Sequence, residues 1–124
     1  LKFIGRWDRI DIHQNGGVIT DYKATEVKDQ KEADLKAKNS LQMDLYALSY
    51  VKTQQIPLLE TRLHFLESDI IGHAQKEAED MEKALTRIRE AEDGIRDQNY
   101  EAKPDWHNCR MCDFRTICPF SYAY

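Results

Sequence analysis

No apolar run in the sequence approaches the roughly 20 residues needed to span a bilayer as a helix. Nothing in it resembles a secretory leader either, so the expectation is a soluble cytoplasmic protein with no membrane partner. Positive charge is not in excess: 18 Lys and Arg stand against 22 Asp and Glu, a formal net charge of -4. That balance does not advertise nucleic-acid binding, and a polyanionic ligand would need bound cations or a partner domain to supply the missing field. Cysteine is scarce, with three residues in 124 and none before position 109. An odd number spaced Cys109-x-x-Cys112-x5-Cys118 argues against a secreted disulfide framework and for an intracellular metal or cluster site. The chain also opens on Leu1 rather than Met and enters strand-like sequence at once, so it reads as part of something longer.

What is present suffices for one domain over residues 1–124, with a cysteine-rich tail at 104–124: 41% of residues are hydrophobic and 32% charged. The organising stretch is residues 5–23. Two runs of strand-forming residues, 3–12 and 18–22, flank Asn15-Gly16-Gly17, and Asn-Gly between such runs predicts a type I′ hairpin. With Asn15 and Gly16 as the loop, Ile12 faces Ile19, Ile10 faces Asp21 and Asp8 faces Lys23. Side chains alternate with period two, so Asp8, Asp21 and Lys23 then share a face with Ile10, Ile12 and Ile19, while Asp11 points away. A three-residue loop without a bulge would break that cluster.

Unpaired charge on a half-apolar face is costly. An ordinary ion pair between Asp8 and Lys23 is one solution. Asp21, diagonal to Asp8, would repel it unless a cation lay between them, and oxygen donors from two Asp side chains suit Mg²⁺ or Mn²⁺. Residue types leave both readings open.

Residues 25–39 are polar, mixed in charge and without apolar periodicity, which predicts a mobile loop leading into a helix. Its Lys28, Lys31, Lys36 and Lys38 either balance the neighbouring acids or touch a phosphate backbone. Ser40 is the expected N-cap of a helix over 41–55 that ends before Pro57. Leu41, Leu45, Leu48 and Val51 or Lys52 would form its buried face, with Gln42 and Tyr46 one above the other on an adjoining face. Residues 60–67 read as a strand, with Leu63 and Phe65 on one side and His64 and Leu66 on the other, and 69–73 as a short continuation. A helix over 74–96 follows, its stripe Ala74, Ala78, Met81, Leu85, Ile88 and Ile95 on a seven-residue repeat that suits a coiled-coil partner but, over so few heptads, more often means a helix laid against its own sheet. His13 and His64 read as structural or surface residues.

Four elements in order carry a family likeness. A G-x-x-D strand (Gly5 to Asp8) is followed by Asp21-Tyr22-Lys23 thirteen residues on, then by Gln42-x-x-x-Tyr46 on a helix, and finally by the cysteine tail. This order resembles the PD-(D/E)XK nuclease superfamily, its RecB-like branch above all, over roughly residues 3–67. The resemblance implies an α/β, restriction-endonuclease-like core, a mixed central sheet flanked by helices, with the family's first helix missing. It implies metal-dependent DNA cleavage in which Asp8, Asp21 and the backbone carbonyl of Tyr22 hold Mg²⁺ or Mn²⁺. Lys23 would orient water or neutralise phosphate charge, since nearby carboxylates favour its protonated form and an ammonium takes no proton. Gln42 and Tyr46 would face the site, with Gln42 bonded to Lys23 or to metal-bound water.

In RecB-like nucleases of the AddB type and in CRISPR exonucleases, such a tail joins an upstream cysteine around a [4Fe-4S] cluster. Cys109, Cys112 and Cys118 are therefore the implied ligands, in a structural role and incomplete without the upstream residue. A UvrD-like helicase domain or subunit is the implied partner, exonuclease rather than endonuclease the implied mode, DNA repair the context, and the isolated fragment is expected to be inactive. The residues themselves leave other readings of the tail open: a zinc knuckle completed by His107, or three reduced cysteines in a packed segment. Beside the nuclease stand two further functions, a non-catalytic DNA- or protein-docking module built on such a knuckle, and a scaffold that has lost catalysis.

Overall fold

In a computed structural model, which describes residues 2–122, Gln14 and Asn15 turn the chain between strand β1 (Arg9–His13) and strand β2 (Gly16–Lys23). The pairing is antiparallel, with Ile10 opposite Ile19 and His13 opposite Gly16. The hairpin expected from Asn-Gly is present, but its loop lies one residue earlier, and neither loop residue takes the positive φ of a type I′ turn. The two glycines serve packing instead. Gly16, at φ 153°, lies where a side chain would run into the Pro57 carbonyl, and a side chain at Gly17 would collide with the Tyr50 ring. Because the partner sums differ by two, every residue keeps its expected face.

Strand β3 (Leu58–Phe65) runs parallel to β2, and β4 (Ile70–Ala74) returns antiparallel to β3, giving the order β1-β2-β3-β4. The expected continuation at 69–73 is thus a separate strand, reached through a turn in which Asp69 adopts φ 50°. Leu63 and Phe65 are buried, as the alternation predicts, and Leu66 is exposed.

A parallel pair needs a crossover, and two helices supply it. The first, α1 (Gln30–Lys38), corrects the loop expected over 25–39. Its start is capped from both directions: Asp29 Oδ1 accepts from the Glu32 N–H at 2.8 Å, and Glu32 Oε2 accepts from the Lys28 N–H at 2.8 Å. Its inner face consists of Ala33 and Ala37, both fully buried, which gives no large apolar periodicity to read. Helix α1 packs on β4, where Gly72 lets the backbones approach: a side chain there would strike the Ala33 carbonyl.

The second helix, α2 (Leu41–Thr53), begins as expected, with Ser40 Oγ accepting from the Met43 N–H at 3.3 Å. Its buried face is Met43, Ala47 and Tyr50, whereas Leu41, Leu45 and Leu48 are half-buried and Val51 is exposed. Tyr50 takes the inner position because Gly17 leaves space for its ring. Val27, Ala33, Ala37, Met43, Leu63, Phe65 and Ala74 form the core between the helices and the sheet. The result is α/β, a mixed four-stranded sheet flanked by helices, consistent with a restriction-endonuclease-like core.

Helix α3 (Ala78–Arg96) starts later than expected, because Ala74 belongs to β4. Ala84 is its buried residue, with Met81, Leu85 and Ile88 half-buried and Ile95 exposed. The chain divides into two compact units, Leu1–Glu90 and Ala91–Tyr124. The second holds a short helix, α4 (Trp106–Met111), capped by Asp105. No helix among the described residues is long and apolar enough to cross a membrane.

Candidate active site

Asp21 and Lys23 lie two residues apart on β2, so both point to the helix-bearing side of the sheet. Tyr22 points the other way, its ring 5.7 Å from that of His64. Asp21 is only 3% exposed, and its Oδ2 pairs with Lys23 Nζ at 2.8 Å. From α2, Gln42 spans the pair: its Oε1 accepts from Lys23 Nζ at 2.7 Å and its Nε2 donates to Asp21 Oδ1 at 3.2 Å. One turn on, Tyr46 Oη accepts from Gln42 Nε2 at 3.1 Å and donates to the Arg6 carbonyl at 2.7 Å.

Asp8 stands immediately before β1. One further step of the β1–β2 register sets it opposite Asp21, not opposite Lys23 as the Asn-Gly loop implies. Its Oδ2 accepts from the Tyr22 N–H at 3.0 Å. Tyr22 therefore enters the site through its amide hydrogen.

The electrostatics follow from this packing. Burial raises the Asp21 carboxyl above its ordinary value; the Lys23 ammonium opposes the rise, and the facing Asp8 adds to it. A hard divalent cation shared by the two carboxylates would relieve both burial and repulsion, and two carboxylate oxygens are the donors that Mg²⁺ and Mn²⁺ take. The residues fit such an ion on donor chemistry. The chain supplies two carboxylates for it: among the described residues, no three His, Cys, Asp or Glu side chains gather as a metal-holding group. That statement also covers the tail, where Cys109, Cys112 and Cys118 are unpaired and half-buried, and where His107 does not complete a ligand set with them.

The five side chains Asp8, Asp21, Lys23, Gln42 and Tyr46 are thus brought to one place. Sequence reasoning missed the Arg6 carbonyl and the contact of Trp7 with Tyr50, ring centroids 6.1 Å apart. An aromatic directly before Asp8 was the available signal. It also missed Lys76, whose fully buried side chain meets Asp44 Oδ1 at 2.6 Å and donates to the Lys38 carbonyl at 2.7 Å. Lys36 is held by Glu32 at 3.3 Å, with its Nζ 5.7 Å from the ring centre of Phe65, the β3 partner of Lys23.

A mixed sheet with an acidic residue at the mouth of one strand, an Asp-x-Lys on the next and a helix glutamine joining them is the arrangement that the resemblance to these nucleases implies. The chain belongs to the PD-(D/E)XK nuclease superfamily, whose family model matches residues 1–119. Neither the curated proteins nor the solved structures compared with it gave a significant match.

Proposed function

We propose that this chain is the catalytic part of a divalent-metal-dependent deoxyribonuclease of the RecB/AddB-like type, working with a helicase domain or subunit in DNA repair and acting as an exonuclease. The observation that carries the reading is the closed network Asp21–Lys23–Gln42 with Asp8 set opposite Asp21.

Asp8 and Asp21, with the Tyr22 carbonyl, would hold Mg²⁺ or Mn²⁺. When bound, the ion supplies Lewis-acid polarisation of the phosphate and an activated water. The protein's own part is positioning. Lys23 Nζ faces two acceptor oxygens, one from Asp21 and one from Gln42, which suits a charged ammonium. Such a group neutralises charge developing on the phosphate and orients water rather than removing a proton. Gln42 keeps Asp21 and Lys23 in register, and Tyr46 keeps Gln42 in place. In the tail, a [4Fe-4S] cluster on Cys109, Cys112 and Cys118 with one further cysteine would require these three thiols, which do not gather as a ligand set here, to draw together.

One feature favours a second reading. Trp106, Met111, Phe114, Ile117 and Phe120 are all more than half exposed around the three cysteines, as in a module that docks a partner. Calorimetric titration with Mn²⁺ separates the two. The nuclease reading expects binding that disappears in Asp8→Ala and Asp21→Ala and is unchanged by Cys→Ser substitutions. Uptake through the cysteines alone would favour the docking module. In the parent protein, Asp21→Ala or Lys23→Ala should abolish cleavage of labelled DNA without loss of fold, and wild-type rates in either would overturn the nuclease assignment.

A further inference from the structure

Asp8 is the one acidic member of the site that lies outside the sheet, since the β1–β2 pairing begins with Arg9 opposite Thr20. The residues leading to it offer little else to hold it. Of residues 2–9, all are exposed except Trp7, which is half-buried; Phe3 and Ile4, the other apolar residues there, are 60% and 77% exposed.

Trp7 meets a rigid platform. Its ring lies 6.1 Å from Tyr50, tilted by 57°. Tyr50 is fully buried in α2 and seated over Gly17, where any side chain would displace it. One turn earlier on the same helix, Tyr46 Oη donates to the Arg6 carbonyl, so two successive residues before Asp8 are attached to α2 and not to the sheet.

We infer that the Trp7–Tyr50 ring contact is the anchor that sets Asp8 opposite Asp21, which makes Trp7 and Tyr50 positioning residues for the acidic pair. Helix α2 then assembles the site from both sides. Gln42 orients Asp21 and Lys23, while Tyr46 and Tyr50 hold the segment that delivers Asp8. The inference rests on Asp8 belonging to the site as proposed above, but its test needs neither metal nor substrate.

The reporter is the Tyr22 amide, which donates to Asp8 Oδ2 at 3.0 Å, so its hydrogen exchange measures whether Asp8 is in place. In the whole 124-residue chain, Asp8→Ala and Trp7→Ala should each speed Tyr22 exchange about tenfold or more, while Trp7→Phe, which keeps a ring on Tyr50, stays close to wild type. The amides of Asp11 and Val18, partners further along the same β1–β2 pairing, should not change in any of the three. Retained Tyr22 protection in Trp7→Ala would overturn the inference, as would unchanged exchange in Asp8→Ala or failure of Trp7→Phe to protect. Loss spread equally over Asp11 and Val18 would make Trp7 a packing residue of the whole hairpin, and would overturn it too. Mn²⁺ titration of the same variants keeps the two readings apart. If Asp8→Ala leaves Mn²⁺ affinity unchanged, the metal site fails, while the Tyr22 result still decides the anchor.

Discussion

Lys23 and Gln42 meet between β2 and α2 at 2.7 Å, ammonium to amide oxygen, while the nitrogen of the same amide reaches Asp21. One side chain thus orients both charged groups of β2. Hydrogen bonds to charged groups are worth about 1.5–3 kcal/mol. Gln42→Ala should therefore slow Mg²⁺-supported cleavage by roughly 10–100-fold, with little effect on DNA affinity. Gln42→Glu should not restore the rate at neutral pH, because it sets a further carboxylate against buried Asp21. Single-turnover rates on end-labelled DNA check both, and full activity in Gln42→Ala would remove Gln42 from the site.

The pH dependence follows from Asp21. Burial, with Asp8 facing it, raises its carboxyl above the ordinary 3.8 despite Lys23. Between the unfolded value and the raised folded value, the folded chain holds more protons than the unfolded one, so stability falls as pH rises through that window. At neutral pH the ionised Asp21 costs stability in the absence of a cation. Asp21→Asn should raise the melting temperature at pH 7 without divalent metal, and the gain should shrink as the pH falls toward the ordinary 3.8. Thermal melts from pH 4 to 8 test this, and a lower melting temperature for Asp21→Asn throughout would contradict it.

The candidate-site cluster was legible because it rests on short spacings: i, i+2 on a strand for Asp21 and Lys23, i, i+4 on a helix for Gln42 and Tyr46. The hairpin was legible in its parity but not in its register. Asn15-Gly16 reads as a turn when taken alone, whereas Gly16 and Gly17 are spent on close approach of Pro57 and Tyr50, residues more than thirty positions away. The same kind of contact hid α1. A helix that buries alanines against a glycine strand makes its contacts with backbone atoms, and leaves no stripe of large side chains to count. The leucines of α2 predicted the wrong inner face for a related reason, since the space over Gly17 decides which side chain turns inward. The Arg6 and Trp7 contacts of α2 are non-local, and no spacing rule reaches them.

The α1–β4 contact gives a direct test. A methyl at Gly72 would overlap the Ala33 carbonyl, which is backbone and cannot rotate away. Gly72→Ala should cost about 1–3 kcal/mol or more by forcing α1 from the sheet. The loss should appear as a lower urea midpoint, with faster amide exchange in residues 30–38. Ala33→Gly would not relieve it, since the clash is with main chain. An unchanged midpoint would mean that α1 does not depend on this approach.

Lys76 joins the two crossover helices at the point where Gln42 is launched. Its side chain is fully buried, its ammonium pairs with Asp44 in the first turn of α2, and it donates to the Lys38 carbonyl at the end of α1. Removing it would leave a largely buried carboxylate and a helix-end carbonyl without their cation. Breaking such a pair from one side costs about 3 kcal/mol, or roughly 10 °C in melting temperature for a chain of this size. Replacing both partners by apolar groups removes that penalty, because no uncompensated charge then remains. Lys76→Met should therefore melt well below wild type, and Lys76→Met with Asp44→Leu should recover much of the loss. Because Asp44 stands two residues after Gln42, the single variant should also lose cleavage beyond what its unfolded fraction explains, and the double variant should regain it. Melting curves with cleavage rates taken well below the transition measure the two effects separately. Equal stability of Lys76→Met and wild type would show that the pair does not fix the helix junction.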